Sequence, residues 1–254
     1  MKHAASNRPR AWAVVPAGGR GARMGLDTPK QYLEVRGVPL LVHTLRALLA
    51  CPRIEGLVLV VPADDREGAA ALLAAHGLDG GRIAAPVAGG ATRQDSVRRG
   101  LAEVPEGVDV VAIHDAVRPF PDPERLGAAI RRAAADGVGV VVGRPASDTI
   151  KRVDGAGRVL ESPDRARLWQ AFTPQVFPVK MIAAAHDDAH RAGWRGTDDA
   201  ALVERAGGTV VMVEGGREAL KVTTPDDLLT AGAWLVGATG GSPGGAPGGL
   251  TADR

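Results

Sequence analysis

The sequence is poor in the residues that build stapled, metal-rich or stacking sites. It has one cysteine, Cys51, which excludes an internal disulfide and a cysteine-based metal cluster. Aromatic residues are 3% of the chain, so the core has to be built from Val, Leu, Ile and Ala. Lysine is scarce as well: Lys2, Lys30, Lys151, Lys180 and Lys221 are the only ones, against 31 Lys and Arg together. Arg is therefore the general surface cation, and a lysine inside a motif carries more information than usual. No dense Lys/Arg run occurs and the formal net charge is +2, which gives no electrostatic footprint for nucleic acid. No apolar run reaches the roughly 18 residues of a membrane span. The opening MKHAASNRPRAW lacks the apolar stretch of a signal peptide. The expectation is a cytoplasmic protein with no membrane partner.

The chain has 254 residues, 45% hydrophobic and 24% charged, enough for one large α/β domain. Continuous apolar runs at Ala11–Val15, Leu57–Val61, Arg82–Ala85, Val108–Ile113, Val138–Val142 and Thr209–Val213 read as strands covered on both faces. Helical patterns alternate with them at Pro39–Leu49, Asp64–Ala75, Thr92–Val104, Asp122–Ala135, Val179–Ala192 and Pro225–Val236. This alternation predicts a mainly parallel sheet between helical layers. Residues 145–171 break the rhythm, with short extended runs on either side of Asp154-Gly155, and predict a protruding β-hairpin arm. Residues 1–10 read as a flexible lead, 11–236 as the domain, and 237–254 as a disordered Gly/Pro-rich tail.

The first strand runs straight into Pro16-Ala17-Gly18-Gly19-Arg20-Gly21-Ala22-Arg23-Met24. A Gly-rich turn at the carboxyl end of a parallel strand lets backbone N–H groups approach an anion. The dinucleotide fingerprint fails, because Met24 stands where the third Gly belongs and the next strand begins only at Leu57. A P-loop fails for want of Lys-Ser or Lys-Thr. A purely structural turn stays open, but Arg23 and Lys30 place two cations beside the glycines. Nucleotidyl transfer requires charge neutralisation on phosphates rather than covalent work by the protein. Those cations, backbone amides and Mg²⁺ bridging the phosphates would supply it.

The string from Pro16 to Leu41, with Lys30-Gln31-Tyr32-Leu33 inside it, resembles the N-terminal signature of the 2-C-methyl-D-erythritol 4-phosphate cytidylyltransferases of the non-mevalonate isoprenoid pathway. The resemblance implies a three-layer Rossmann-like nucleotide-diphospho-sugar transferase fold. It also implies transfer of CMP from CTP to a polyol phosphate. Arg23 and Lys30 would stabilise the transition state, while Pro16, Ala17, Gly18, Gly19 and Gly21 would hold CTP.

Further motifs extend the resemblance to about residues 11–236. Gly89-Gly90-Ala91-Thr92-Arg93-Gln94-Asp95-Ser96 reads alone as a Gly turn with a Thr92 N-cap. Within the resemblance, Gly90 and Ser96 become CTP contacts. His114-Asp115-Ala116-Val117-Arg118-Pro119 is charged where a plain turn would be small and polar. Asp115 there is a candidate for Mg²⁺, for CTP together with Ala116, and for the acceptor together with Arg118; pairing with Arg118 is the bland alternative. His114 reads as structural.

In the arm, Arg152, Arg158 and Arg167 read as solvated. The resemblance singles out Thr149 and Arg165, which would cross a homodimer interface to hold the acceptor phosphate, with Thr173 a weaker candidate. Thr197 would cap a helix and contact substrate. Lys221, in Leu220-Lys221-Val222-Thr223-Thr224-Pro225, would position a phosphate. Mg²⁺ is expected mainly on the CTP phosphates, with other divalent cations as alternatives. With the sequence ending about 20 residues after the last helical pattern, the fused cyclodiphosphate-synthase domain of some relatives is not expected. The rival activity is the same transfer to ribitol 5-phosphate; a non-catalytic nucleotide-binding module is the rival of another class.

Overall fold

The computed structural model describes residues 8–19 and 28–239, with side chains to residue 236. The elements in chain order are β1 (Ala11–Pro16), β2 (Glu34–Val35), β3 (Val38–Pro39), α1 (Leu40–Leu49), β4 (Ile54–Val61), α2 (Arg66–Ala75), β5 (Val87–Ala88), α3 (Arg93–Ala102), β6 (Val110–Ile113) and α4 (Pro123–Asp136). They continue with β7 (Gly139–Pro145), β8 (Arg152–Val153), β9 (Val159–Glu161), β10 (Trp169–Pro178), α5 (Val179–Arg191), α6 (Asp199–Arg205), β11 (Val210–Glu214) and α7 (Pro225–Thr239). The central sheet has the order β11-β7-β10-β6-β1-β4-β5. All of its pairings are parallel except those of β10, which runs antiparallel to both β6 and β7.

Strand residues alternate between two cores, which is why the runs read as continuously apolar. Ala11, Ala13, Val15, Leu57, Leu59, Val110 and Ala112 join Leu41, Leu45, Leu48, Leu73, Leu126 and Ile130, from α1, α2 and α4, on one face. Val14, Val58, Val60, Val111 and Ile113 join Val97, Leu101, Ile182, Ala185, Leu202 and Val203, from α3, α5 and α6, on the other. The result is the expected three-layer α/β fold. A third cluster packs Val222 and Ala231 against Val35, Leu40 and Val117, seating α7 over the β2–β3 ribbon.

Local chemistry sets the helix starts that matter for the site. Thr92 and Asp95 form a reciprocal capping box at the start of α3, satisfying two otherwise orphan N–H groups. Further along, Gly100 lets α3 press onto the sheet, because a Cβ there would lie 2.6 Å from Val14 Cγ1.

The strand reading needs three corrections. Arg82–Ala85 forms no strand; only an isolated bridge joins Leu57 and Ile83, and the edge strand is the short β5. The arm is shorter than 145–171, because Pro145 and Trp169 are paired within the central sheet. Most importantly, β10 has no counterpart in the sequence reading. Pro174 and Pro178 argue against a central strand, and a register shift between Ala171 and Gln175 accommodates the first of them. Two smaller differences lie at the ends. Arg8 and Arg10, read as part of a flexible lead, bond to Pro52 O, to Asp109 and to Glu55. Helix α7 continues through Thr239, and residues 240–254 lie outside the described residues.

Candidate active site

A cavity of about 630 Å³ opens at the carboxyl ends of four neighbouring parallel strands. Its wall is built from the segments that follow them: Pro16–Gly19 after β1, Pro62–Asp64 after β4, Gly89–Arg93 after β5, and Asp115–Val117 after β6. Strands β4 and β5 lie on one side of β1 and β6 on the other, so the cavity occupies the topological switch point where open α/β sheets bind ligands. Lys30, Gln31, Ser96 and Lys221 complete the lining.

Each segment is held by bonds that its sequence dictates. Buried Gln31 donates to Ala17 O at 2.8 Å, tying the Lys30–Tyr32 turn to the glycine loop. The Ala17 N–H is already used on Val60 O, which leaves the exposed Gly18 and Gly19 to meet a ligand. A Cβ on Gly19 would stand 3.6 Å from Lys30 Cε, so loop and lysine are neighbours. Tyr32 donates to Asp65, clasping the same turn to the segment after β4. Gly90 must remain Gly, because a Cβ would lie 2.3 Å from that of Asp95. Ser96 Oγ accepts from Gly90 N–H and donates to Thr92 O. Its hydroxyl shapes the loop first, and only spare acceptor capacity remains for a nucleotide.

Asp115 is the electrostatic centre. Arg93 Nε lies 3.1 Å from one carboxylate oxygen, while Lys221 Nζ at 2.8 Å and Arg118 Nε at 3.4 Å approach the other. The Asp115 N–H donates to Thr173 Oγ1. Burial would raise the Asp115 pKa, but Arg93, Lys221 and Arg118 outweigh it and hold the carboxyl well below the usual range. Arg93 also reaches buried Asp199 through Nη1 at 2.7 Å. Burial works against the Arg93 charge, yet Asp199 and then Asp115 keep its pKa above the ordinary value. Arg118 spends Nη1 on Glu218 O and Ala219 O, while Val222 N–H bonds Val117 O. Together these bonds carry Lys221 to the wall.

His114 is fully buried and bonds Arg118 O through Nε2. Burial pushes its pKa down to about 4, in keeping with a neutral structural residue. Among the described residues no group of three His, Cys, Asp or Glu side chains is placed to hold a metal. Asp115 fits a metal poorly, because both its oxygens are engaged by cations.

Of the expected site residues, Pro16, Ala17, Gly18, Gly19, Lys30, Gly90, Ser96, Asp115, Ala116 and Lys221 all line this one cavity. Gly21 and Arg23 lie outside the described residues. Arg118 stands behind the wall as a brace for Asp115 and the Glu218–Ala219 turn. Thr149 and Arg165 are on the arm, where Arg165 Nη1 bonds Ser147 O. Thr197 does not cap α6; Asp198 does, accepting from Ala201 N–H, because its side chain sits one residue nearer the helix start.

The residue that sequence reasoning missed is Arg93. It is the first residue of α3, where the helix dipole disfavours a cation. That misplaced charge was the available signal for carboxylates close by.

A sequence profile of the 2-C-methyl-D-erythritol 4-phosphate cytidylyltransferase (IspD) family matches residues 11–236. The chain belongs to this family. The family's curated member from Syntrophus aciditrophicus is 43% identical over 235 residues, covering 90% of this chain and 97% of its own. The solved structure of the 4-diphosphocytidyl-2C-methyl-D-erythritol synthase from Anaerococcus prevotii superposes with a TM-score of 0.77 at 29% identity, covering 90% of this chain and 96% of that one. The family enzyme of Thermus thermophilus gives 0.72 at 30% identity, with 89% and 99% covered. Family members are nucleotidyltransferases, and this chain presents the cavity of one.

Proposed function

We propose that the chain transfers CMP from CTP to 2-C-methyl-D-erythritol 4-phosphate, releasing pyrophosphate. The observation that carries this reading is the convergence of Gly18, Gly19, Lys30, Arg93, Asp115 and Lys221 on one cavity in a chain of this family. The relatives' names favour methylerythritol phosphate over ribitol phosphate as acceptor.

In the reaction an oxygen of the acceptor phosphate attacks the α-phosphorus of CTP. The new O–P bond forms as the bond from the α-phosphorus to the bridging oxygen breaks, and pyrophosphate leaves with the electron pair. A phosphate monoester is largely ionised at neutral pH, its second pKa being about 6, so the nucleophile needs no general base. This agrees with Asp115, whose low pKa and cation partners make it a fixed counter-ion rather than a proton acceptor. Lys30 beside Gly19 suits the triphosphate, with Arg23 joining it by sequence position. Lys221 suits whichever phosphate enters next to Asp115.

Mg²⁺ would neutralise phosphate charge. Since both Asp115 oxygens are already paired, the triphosphate oxygens, and not the protein's carboxylates, would hold the ion. The chain acts as a homodimer in this reading, the arm carrying Thr149 and Arg165 to the partner's cavity. The exposed apolar residues Ile150, Val153, Val159 and Leu160 support that, as does the absence of Thr149 and Arg165 from the lining of the chain's own cavity. A cytoplasmic location fits CTP and a soluble acceptor. The test crosses CTP, ATP and UTP with methylerythritol 4-phosphate and ribitol 5-phosphate and measures pyrophosphate release. Release with CTP and methylerythritol phosphate alone is expected; preference for ribitol phosphate would overturn the assignment.

A further inference from the structure

Behind the cavity wall a buried hydrogen-bonded chain leads from His186 and Asp199 to the lining residues Arg93, Asp115 and Lys221. His186, fully buried on α5, bonds Asp199 Oδ1 through Nε2 at 3.1 Å. The other oxygen of Asp199 takes Arg93 Nη1 at 2.7 Å, and Arg93 Nε reaches Asp115, which in turn holds Lys221. Asp199 is itself 1% exposed, so it meets no ligand directly. A carboxylate is costly to bury unless it is paired and hydrogen-bonded, and here both oxygens have partners. The backbone around it is equally constrained. Asp198 caps α6, Gln175 of β10 bonds both Asp198 and Ala200 N–H, and Gln94 of α3 bonds Trp194 O and Gly196 N–H.

We propose that Asp199, itself oriented by His186, is a positioning residue for the transfer: it holds Arg93 in the orientation that keeps Asp115 neutralised when Lys221 moves to a substrate phosphate. Lys221 and Asp115 are at contact distance before substrate arrives. A lysine that leaves such a pair for a phosphate would strip a buried carboxylate of a partner. Arg93 removes that penalty, because it stays on Asp115 with its other edge tethered to Asp199. Without the tether, the guanidinium at the exposed start of α3 has several rotamers open to it and a helix dipole pushing it outward. Arg, unlike Lys, can serve both carboxylates at once through separate edges of one plane.

The inference rests on the transfer proposed above, and its test separates the two. Turnover with CTP and methylerythritol 4-phosphate is measured per folded enzyme, well below the melting temperature, for Asp199→Asn, Arg93→Met and the double variant. Misplacing a catalytic constellation by about 1 Å costs on the order of 100-fold, so kcat is expected to fall by 10- to 100-fold in Asp199→Asn with the KM for CTP little changed. In the Arg93→Met background the second change should add nothing, since Asp199 acts only through Arg93. Conservative rescue gives an independent arm: His186→Gln, which retains a donor towards Asp199, is expected to keep most activity, whereas His186→Leu loses it.

Wild-type kcat and KM in folded Asp199→Asn, or losses that multiply in the double variant, would overturn the proposal. If Asp199→Asn does not fold, the His186 pair decides, and equal activities of Gln and Leu would refute it. If the wild type is inactive with this substrate pair, the proposed function fails. The positioning claim is then read from the Arg93 Nε–H resonance in ¹H–¹⁵N spectra. That proton should be protected from exchange in the wild type and unprotected in Asp199→Asn or His186→Leu; equal protection in all of them would refute the claim.

Discussion

The wall around Asp115 and the ribbon bearing Thr149 and Arg165 are built on opposite plans, although both are expected to meet phosphate. At the wall every charge has a partner in the same chain, and the segments hang from adjacent strands of the sheet. On the ribbon, β8 and β9 pair only with each other, their residues are exposed, and their apolar side chains point to no core of this chain. The wall is preorganised by its own fold, which lets fixed groups stabilise developing charge without rearranging. The ribbon's apolar side chains stay uncovered among the described residues. Under the proposed function one chain would therefore contain a finished nucleotide cavity and an unfinished acceptor clamp that a partner completes.

The largest expected effect breaks the finished half. Asp115→Ala leaves Arg93, Arg118 and Lys221 facing one another, with Arg118 buried and the other two more than a third exposed. Removing one side of a fully buried charge pair costs about 3–5 kcal/mol; hydration of Arg93 and Lys221 lowers that, so denaturant unfolding should show a loss of roughly 2–4 kcal/mol. The same carboxylate gives the acid limit. Its folded pKa lies below the unfolded value, so its stabilisation is full above the ordinary carboxylate range and fades as pH falls below about 4. Wild type should therefore lose stability at acid pH with a steeper slope than Asp115→Ala.

Lys30→Ala comes next and should separate activity from stability. Its expected cost is about 10²–10³ in kcat, the usual effect of losing one preorganised donor, with little change in the KM for acceptor or in melting temperature. Arg23→Ala should behave alike by its place in the same sequence motif. Turnover close to wild type in either variant would remove it from the transition state.

Arg165→Ala tests the unfinished half. Loss of a charge-assisted phosphate contact costs roughly 1.5–3 kcal/mol, read as a higher KM for the acceptor with CTP binding intact. Mixing Lys30→Ala with Arg165→Ala chains sharpens the comparison. If the arm crosses between subunits, a heterodimer has one site with both defects and one with neither, and activity returns. If each arm serves its own cavity, every site keeps one defect, and at acceptor concentrations well below the raised KM the mixture shows no more than the average of the two parents.

The smallest effect is on the ribbon surface. Val159→Thr should change the unfolding free energy of an isolated chain by no more than about 0.5 kcal/mol. The same change should weaken dimerisation measurably by analytical ultracentrifugation. Unchanged self-association would argue that these side chains face solvent in the working enzyme.

What the sequence makes legible here is whatever is local in the chain. The glycine turn, Lys30, Gly90, Asp115 and Lys221 each sit in a short run whose composition is odd for a plain turn, and all of them reach one cavity. The hairpin showed itself in the same way, through Asp154-Gly155 between extended runs. What stayed hidden depends on long-range pairing. Asp199 is an acid in a helix's first turn, an ordinary place for one, and nothing near it in sequence points to Arg93, 106 positions away. Strand β10 was hidden by its prolines, and its antiparallel course is a property of the sheet rather than of the segment. Thr197 lost the cap to Asp198 because both are good capping residues, and only backbone geometry separates them.

The antiparallel strand also decides where this fold can change. Because β7 and β10 are neighbours, paired from Pro145 and Trp169 inward, the arm leaves and re-enters the sheet at adjacent points. Such an excursion is anchored at its roots whatever its length. Each doubling of a loop costs only about 0.6 kcal/mol in closure entropy. Under the proposed function, insertions and deletions there would re-aim the arm at a different polyol while the strand order and the cavity wall stay as they are. If the arm holds the acceptor as proposed, the nucleotide and acceptor halves of the site are separately adjustable, and the Pro145–Trp169 pair marks where one ends and the other begins.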